Sequence, residues 1–390
     1  MARLDRAFNV EEMRLLAKGK LPKFIFDYLD GGADDEWVLK NNRRAFEDYK
    51  LLTQVLQDVS EVDLSTRILG LETDAPFVLS STGASRFFHP EGEVAVARAA
   101  AAENVLYGIA ASAMSSIEEV ATAAPGPRFF QVYVFRDRGL NSEFVQRSKA
   151  GGYQAMYLTV DSVVAGNRER DLRNQLSIPP KITPQTIWQA GTRPKWVMDY
   201  LLNSPWSFPN VESVLDEKTK ADFASVAEWF GSQLDRTFTW DDAAELIAEW
   251  DGPFVIKGIT RPEDAIRAAE IGATGIVVSN HGGRQLDRLP SALDLLPAIV
   301  DAVGDNLEVF IDSGFRRGTD IITALALGAK AVSIGRPYLY GLAAGGEQGV
   351  SRVVQLLKAE IARDMTMMGV TRIDQITEDL LFKRSGSKLG

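Results

Sequence analysis

Eight short runs of β-branched and aromatic residues, each followed by an Ala- and Glu-rich stretch with helical spacing, recur from about residue 76 and constrain this chain most. They occupy 77–81, 105–109, 129–134, 155–160, 254–257, 276–279, 309–312 and 331–334, with 263–271 and 320–327 as examples of the intervening helices. Eight buried strands that alternate with helices predict an α/β fold, a (β/α)8 TIM barrel. An open doubly wound sheet is the alternative the same pattern allows. Residues 1–75 read as an N-terminal helical extension with a short β element, in which 11–18 and 21–28 carry helical periodicity. The reading is one domain over 1–390, with the barrel at 76–345 and a C-terminal helix and tail at 346–390.

One spacing breaks the rhythm. The fourth run ends near Thr159 and the fifth begins near Phe254, so a long insertion follows strand four. It covers about 179–240, opens on Pro179-Pro180, carries Trp188, Trp196, Tyr200, Trp206, Phe208 and Trp229, and shows no long regular pattern before 218–229. Such an insertion in a barrel is usually a lid or a binding loop.

Composition removes several functions. The 43 basic against 53 acidic residues give a net charge of −10, which disfavours nucleic acid as a partner. With no cysteine, the chain has no disulfide, thiolate-held cluster or thiol nucleophile, and no metal site is expected. The N-terminus lacks the apolar run of a secretory signal, and no stretch is apolar enough to span a bilayer. The chain reads as cytoplasmic, with peripheral contact on the inner face of the cell membrane left open.

In a parallel barrel, chemistry sits at the C-terminal ends of the strands. Strand six ends in Ser279-Asn280-His281-Gly282-Gly283-Arg284-Gln285-Leu286-Asp287, which sets one of two histidines beside a guanidinium. A base near neutral pKa next to an anion-binding arginine suits proton abstraction from an anionic substrate. Strand four ends in Thr159-Val160-Asp161, followed by Arg168. Asp161 reads either as the support of that imidazole or as a helix cap, and Arg168 as a second anion clamp or a surface ion pair. Strand five ends in Lys257, a cation at the end of an apolar run. Strand seven leads into Asp312-Ser313-Gly314-Phe315-Arg316 and strand eight into Gly335-Arg336. Those two loops commonly hold a phosphate, of a substrate or of a cofactor.

Taken together these residues resemble the FMN-dependent α-hydroxy acid dehydrogenase and oxidase family, which includes mandelate dehydrogenase, L-lactate dehydrogenase and glycolate oxidase. The resemblance covers nearly the whole chain. Its most specific element is the run 279–287, supported by Leu21-Pro-Lys with Asp27-Tyr28, His89-Pro-Glu-Gly-Glu, Phe129-Phe-Gln-Val-Tyr133, Thr159-Val-Asp161 and the run 311–320. The resemblance implies His281 as catalytic base, Asp161 as its partner, and Arg168 and Arg284 as clamps on the substrate carboxylate. It implies that Tyr28 bonds the carboxylate and Tyr133 the substrate hydroxyl. Lys257 is implied beside the flavin N1–C2 edge, and Gln131 and Thr159 at the isoalloxazine. Asp312, Arg316, Gly335 and Arg336 would hold the phosphate of FMN, with Ser80, Thr82, Ser279 and Gly314 as further cofactor contacts. A homotetramer is also implied.

Three departures from the commonest family pattern bear on specificity. Gly83 stands where glycolate oxidases have alanine, as in mandelate dehydrogenase, which leans toward a dehydrogenase with poor oxygen reactivity. Ser112 replaces a tryptophan and Ala165 a larger apolar residue, which points to a roomy pocket for aryl or longer alkyl side chains. The insertion looks like that of the membrane-associated mandelate and lactate dehydrogenases, so its aromatics read as a membrane contact or as packing over the barrel. No haem-binding domain precedes the barrel, and electrons are expected to leave to an external acceptor: a quinone, a cytochrome or oxygen. The competing readings are a flavin-binding protein without turnover, another FMN-dependent isomerase, and an inosine monophosphate dehydrogenase-like enzyme. The first predicts damage to the base or clamp, the last needs a cysteine, and neither enzyme accounts for His281, Arg284, Asp161 and Arg168 together.

Overall fold

The computed structural model describes residues 4–175, 183–203, 207–215 and 229–383. Its strands are β1 (Phe77–Thr82), β2 (Tyr107–Ala110), β3 (Arg128–Tyr133), β4 (Ala155–Thr159), β5 (Phe254–Ile259), β6 (Gly275–Val278), β7 (Glu308–Ile311) and β8 (Ala331–Ile334). All eight pair in parallel with their neighbours, and β8 returns to β1 with Val332 opposite Phe77, which closes the sheet. Closure rules out the open-sheet alternative. Each expected run overlaps its strand.

The barrel sorts its interior by height. Val78, Leu106, Phe129, Tyr157, Val277 and Phe310 form an apolar cluster with Ile68 and Leu69 of a hairpin, 66–73, that closes the N-terminal mouth. Phe129 stacks on Tyr157 with centroids 3.8 Å apart, and a Cβ on Gly108 would lie 2.2 Å from the Phe129 ring. Glycine at 108 is therefore what admits that ring pair. At the other mouth the lining turns polar, with buried Ser80, Gln131, Thr159 and Lys257 contributed by β1, β3, β4 and β5.

The extension consists of α1 (Val10–Lys20), α2 (Lys23–Asp30) and α3 (Trp37–Arg44). Asn9 caps α1 by accepting from Glu12 N at 2.9 Å. The barrel helices are α4 (Gly92–Ala102), α5 (Ile117–Ala123), α6 (Arg138–Ala150), α10 (Trp240–Trp250), α11 (Pro262–Glu270), α12 (Ala292–Val303), α13 (Gly318–Ala326) and α14 (Arg336–Met368). Gly345 and Gly346 break α14 with non-helical backbone, and the chain turns back on itself there, since a Cβ on Gly341 would lie 2.3 Å from Gly349 O; the last barrel helix and the C-terminal helix are two packed helices that meet near the expected boundary.

The insertion, expected to show no long regular pattern before 218–229, contains two short helices after α7 (Glu169–Arg173): α8 (Pro184–Gly191) and α9 (Pro194–Leu202). Thr183 caps α8 through its side chain, and prolines open both helices, a position where the missing N–H costs nothing. Pro179, Pro180, Trp206 and most of 218–229 lie outside the described residues.

Candidate active site

A cavity of about 870 Å3 opens at the C-terminal ends of the strands. Of the residues expected at a site, Tyr28, Ser80, Thr82, Gln131, Tyr133, Thr159, Arg168, Lys257, His281, Arg284, Asp312, Gly314, Arg316, Gly335 and Arg336 line it. Asp161 and Ser279 stand behind the lining, each hydrogen-bonded to His281.

His281 follows β6 in the left-handed region, with φ of 56°, a conformation that costs a side-chain-bearing residue free energy and is held by its neighbours. Its backbone N–H donates to Ser279 Oγ at 3.0 Å, and the next N–H, of Gly282, donates to Ser313 Oγ at 3.0 Å. The ring Nδ1 lies 2.9 Å from Asp161 Oδ1. An ionised carboxylate only accepts, so Nδ1 carries the proton and Nε2 keeps its lone pair. Burial pushes the imidazole below the ordinary histidine value, and the Asp161 charge offsets part of that shift. Burial alone would raise the Asp161 carboxyl, but the His281 and Lys257 charges and hydrogen bonds from His281 and Ser162 pull it down to about 2. Near neutral pH the imidazole is the neutral member of the pair and the carboxylate the charged one, and the His281 charge acts on Asp161 only once the imidazole is protonated.

Facing it are the guanidiniums of Arg284 and Arg168, neither in a close ion pair among the described residues. Arg284 lies over the Tyr28 ring, 5.0 Å from its centroid, and donates to the carbonyls of Tyr28 at 2.8 Å and Gly31 at 3.2 Å. Burial first, and the nearby Arg168 second, bring its guanidinium down to about 10. Burial raises the one adjacent carboxyl, Asp171, against the pull of Arg284 and Arg168. Two guanidiniums in one cavity, with the Arg168 charge acting on Arg284, favour an anionic ligand. The loops that carry them touch: a Cβ on Gly166 would lie 2.1 Å from Arg284 O.

A model of the FMN-dependent dehydrogenase family matches residues 17–383. The chain belongs to the FMN-dependent dehydrogenase family. It is 40% identical over 376 residues to "Putative L-lactate dehydrogenase" of Mycobacterium tuberculosis, covering 96% of this chain and 89% of the relative. Glycolate oxidase 3 of Oryza sativa subsp. indica is 39% identical over 372 residues, 95% of each chain. Among solved structures, the monotopic membrane protein (S)-mandelate dehydrogenase superposes with a TM-score of 0.93 at 37% identity, over 97% of this chain and all of the other. The protein is a hydroxy acid dehydrogenase or oxidase, and its cofactor is FMN.

Two parts of the cavity of this family member suit that cofactor. Where the flavin ring is expected stands Lys257, buried, with Nζ 3.2 Å from Asp312 Oδ2 and 3.0 Å from Ser279 Oγ. Burial would lower this ammonium, but the charges of Asp312 and Asp161 more than offset it and hold it charged. Where the phosphate is expected, Gly335 precedes α14 with no side-chain cap, and the first N–H groups of the helix, with Arg316 also on the cavity, could hold an anion. Arg336 has a second task. Its Nε, Nη1 and Nη2 donate to the carbonyls of Leu29, Gly282 and Gly31 at 3.1, 2.9 and 2.8 Å, tying the end of α2 to the β6 loop.

The structure divides the run 279–287 between two tasks. Asn280 exchanges side-chain hydrogen bonds with Asn42 at 2.9 and 2.7 Å, and Asp287 accepts from Trp37 N and Val38 N at 3.1 and 2.8 Å, capping α3. Two of the nine residues of that motif therefore dock the extension. Ser162 is a neighbour that the sequence reading passes over; its Oγ lies 3.2 Å from Asp161 Oδ1 and 3.5 Å from His281 Nδ1. Its place next to Asp161 in the chain was the available signal.

Proposed function

We propose that this enzyme oxidises an (S)-2-hydroxy acid to the 2-oxo acid and passes the electrons to an external acceptor such as a quinone or cytochrome. The observation that carries the reading is a neutral imidazole, fixed by Asp161, that shares a cavity with the Arg168 and Arg284 guanidiniums. The two arginines and Tyr28 would hold the carboxylate, and Tyr133 would meet the hydroxyl. Burial raises the Tyr133 phenol, which keeps it protonated and able to donate. His281 Nε2 would take a substrate proton, and Asp161 would stabilise the imidazolium that results. FMN, when bound, supplies the acceptor for the two electrons. Gly83 supports the choice of a dehydrogenase over an oxidase: a Cβ there would lie 2.3 Å from Ser112 Oγ, so the β1 loop sits directly on the β2 loop.

Anaerobic addition of L-lactate and of L-mandelate to the yellow holoenzyme is expected to bleach it. Colour should return slowly in air and faster with a water-soluble quinone. Rapid return in air would make it an oxidase, and a flavin left oxidised by every L-2-hydroxy acid would end the reading.

The same reading includes a peripheral membrane contact. Among the described residues no helix is long and apolar enough to cross a membrane. The aromatics of the insertion split: Trp196 packs edge-on against Phe24 at 5.8 Å and donates to Phe87 O at 2.9 Å, whereas Trp188 is 76% exposed. Ile187, Met198, Leu201 and Leu202 are also exposed on α8 and α9. An apolar, aromatic-bearing surface of this kind suits the interface of a bilayer. Trp188→Ser with Leu201→Ser and Leu202→Ser is expected to move the protein from the floated to the soluble fraction with vesicles of bacterial polar lipid; an unchanged distribution would remove this part.

A further inference from the structure

We infer that the insertion builds a specificity wall for the substrate's side chain, and that the substrate is a 2-hydroxy acid bearing an aryl or extended apolar group. This rests on the reading of the cavity as a 2-hydroxy acid site. An (S)-2-hydroxy acid has four substituents on C2. The carboxylate is accounted for by Arg168 and Arg284, and the hydroxyl and hydrogen by Tyr133, His281 and the cofactor. The side chain is what remains to be recognised.

From Tyr133 an unbroken aromatic wall runs into the insertion. Tyr133 stands among the polar groups, where Lys257, Asp161, Tyr28 and Arg168 all act on its phenol. Its ring centroid is 6.0 Å from that of Phe135, Phe135 is 6.2 Å from Phe230, and Phe230 is 5.5 Å from Phe208. All four rings border the cavity, and so does Leu234.

Both arms of the insertion that carry the wall are pinned to the barrel. Downstream, Leu234 bridges Phe135 in antiparallel fashion, with Arg136 N donating to Gln233 O and Asp235 N to Val134 O, each at 2.8 Å. Arg138 adds an ion pair to Asp235 at 2.8 Å. Upstream, Asn210 is fully buried, donates to Ser115 O at 3.1 Å, and accepts from Ile117 N at 3.0 Å and from Arg147. Phe208 and Phe230 are therefore set at fixed depth by the ends of β2 and β3, the strands whose loops carry Ser112 and Tyr133. A wall fixed in this way selects by size and apolarity, because beyond Tyr133 its members Phe135, Phe208, Phe230 and Leu234 are apolar and have little freedom to collapse onto a small side chain.

The test uses the holoenzyme. Anaerobic flavin reduction is measured with L-lactate, L-2-hydroxybutyrate, L-2-hydroxy-4-methylpentanoate, L-mandelate and L-3-phenyllactate. Specificity is expected to rise by about fourfold per buried methylene, and at least about tenfold from lactate to the best bulky acid. Phe230→Ala and Leu234→Ala are each expected to cut the bulky-to-lactate ratio at least about tenfold. Binding gives a readout free of turnover and of mutation: phenylacetate should perturb the flavin spectrum at a concentration at least about tenfold below that needed with acetate. Lactate as the best substrate, a ratio unmoved by both substitutions, or equal binding of acetate and phenylacetate would overturn the inference. If no acid bleaches the flavin, the proposed function itself has failed; if all bleach it without rank, only the wall has.

Discussion

Replacing His281 with alanine is expected to slow flavin reduction by substrate by about 10^3-fold or more, the upper range for loss of a positioned general base, while the protein remains yellow. The ring makes no direct bond to Lys257, Arg316 or Gly335, so cofactor retention separates this outcome from general damage. The pH dependence carries the same assignment. A base acts when unprotonated, and burial holds His281 below the ordinary histidine value. Reduction of the wild-type flavin should therefore rise with pH through a midpoint below about 6.5 and then level off. Asp161→Asn removes the contribution that raises the imidazole, so the midpoint moves lower still, and the rate falls because the imidazolium loses its counter-charge. A His281→Ala variant reduced at wild-type speed would leave the site without its base.

Lys257→Met is expected to cost about 3–5 kcal/mol of stability, read from the midpoint of denaturant unfolding, because it leaves Asp312 buried and unpaired. The loss spreads along the hydrogen bonds. Ser279 Oγ accepts from both Lys257 Nζ and His281 N, so removing the ammonium also loosens the residue that holds the left-handed turn at His281. Weaker FMN retention on ultrafiltration should accompany the loss. Adding Asp312→Asn to the same chain should restore much of the stability, since the unpaired charge is then gone; retention should not recover, because the cation is still missing. Recovery of both would mean that Lys257 serves the fold alone.

What could be read from the sequence follows from how local each signal was. Every barrel strand is a run buried on both faces, so its apolar stretch stands out without any knowledge of partners, and the eight strands were legible to within about two residues. The run 276–279 reaches one residue past β6: Ser279 N still donates to Ile259 O of β5 at 3.3 Å, and its hydroxyl meets Lys257 and His281. The helices of the insertion were hidden because each is short and because Ile187, Trp188, Met198, Leu201 and Leu202 on them are exposed, so that they show no apolar face toward a core. Most of the polar residues singled out at strand ends do line the cavity. The roles of Asn280 and Asp287 were not legible, since their partners Asn42, Trp37 and Val38 lie some 240 to 250 positions away in the chain. Phe208 and Phe230 were obscured in the same way, since only the folded insertion brings them beside Tyr133.

The grip of Arg284 and Arg336 on the carbonyls of Tyr28, Leu29 and Gly31 bears on how such a protein can be recombined. Four donor bonds run from barrel loops into that one short segment. A barrel grafted onto a foreign leader would lose the Tyr28 ring and strand two guanidiniums at the mouth, each seeking acceptors that the new sequence has no reason to present. Extension and barrel are thus a single heritable unit: exchange between relatives would preserve the mouth only where residues 28–31 travel together with the loops after β6 and β8.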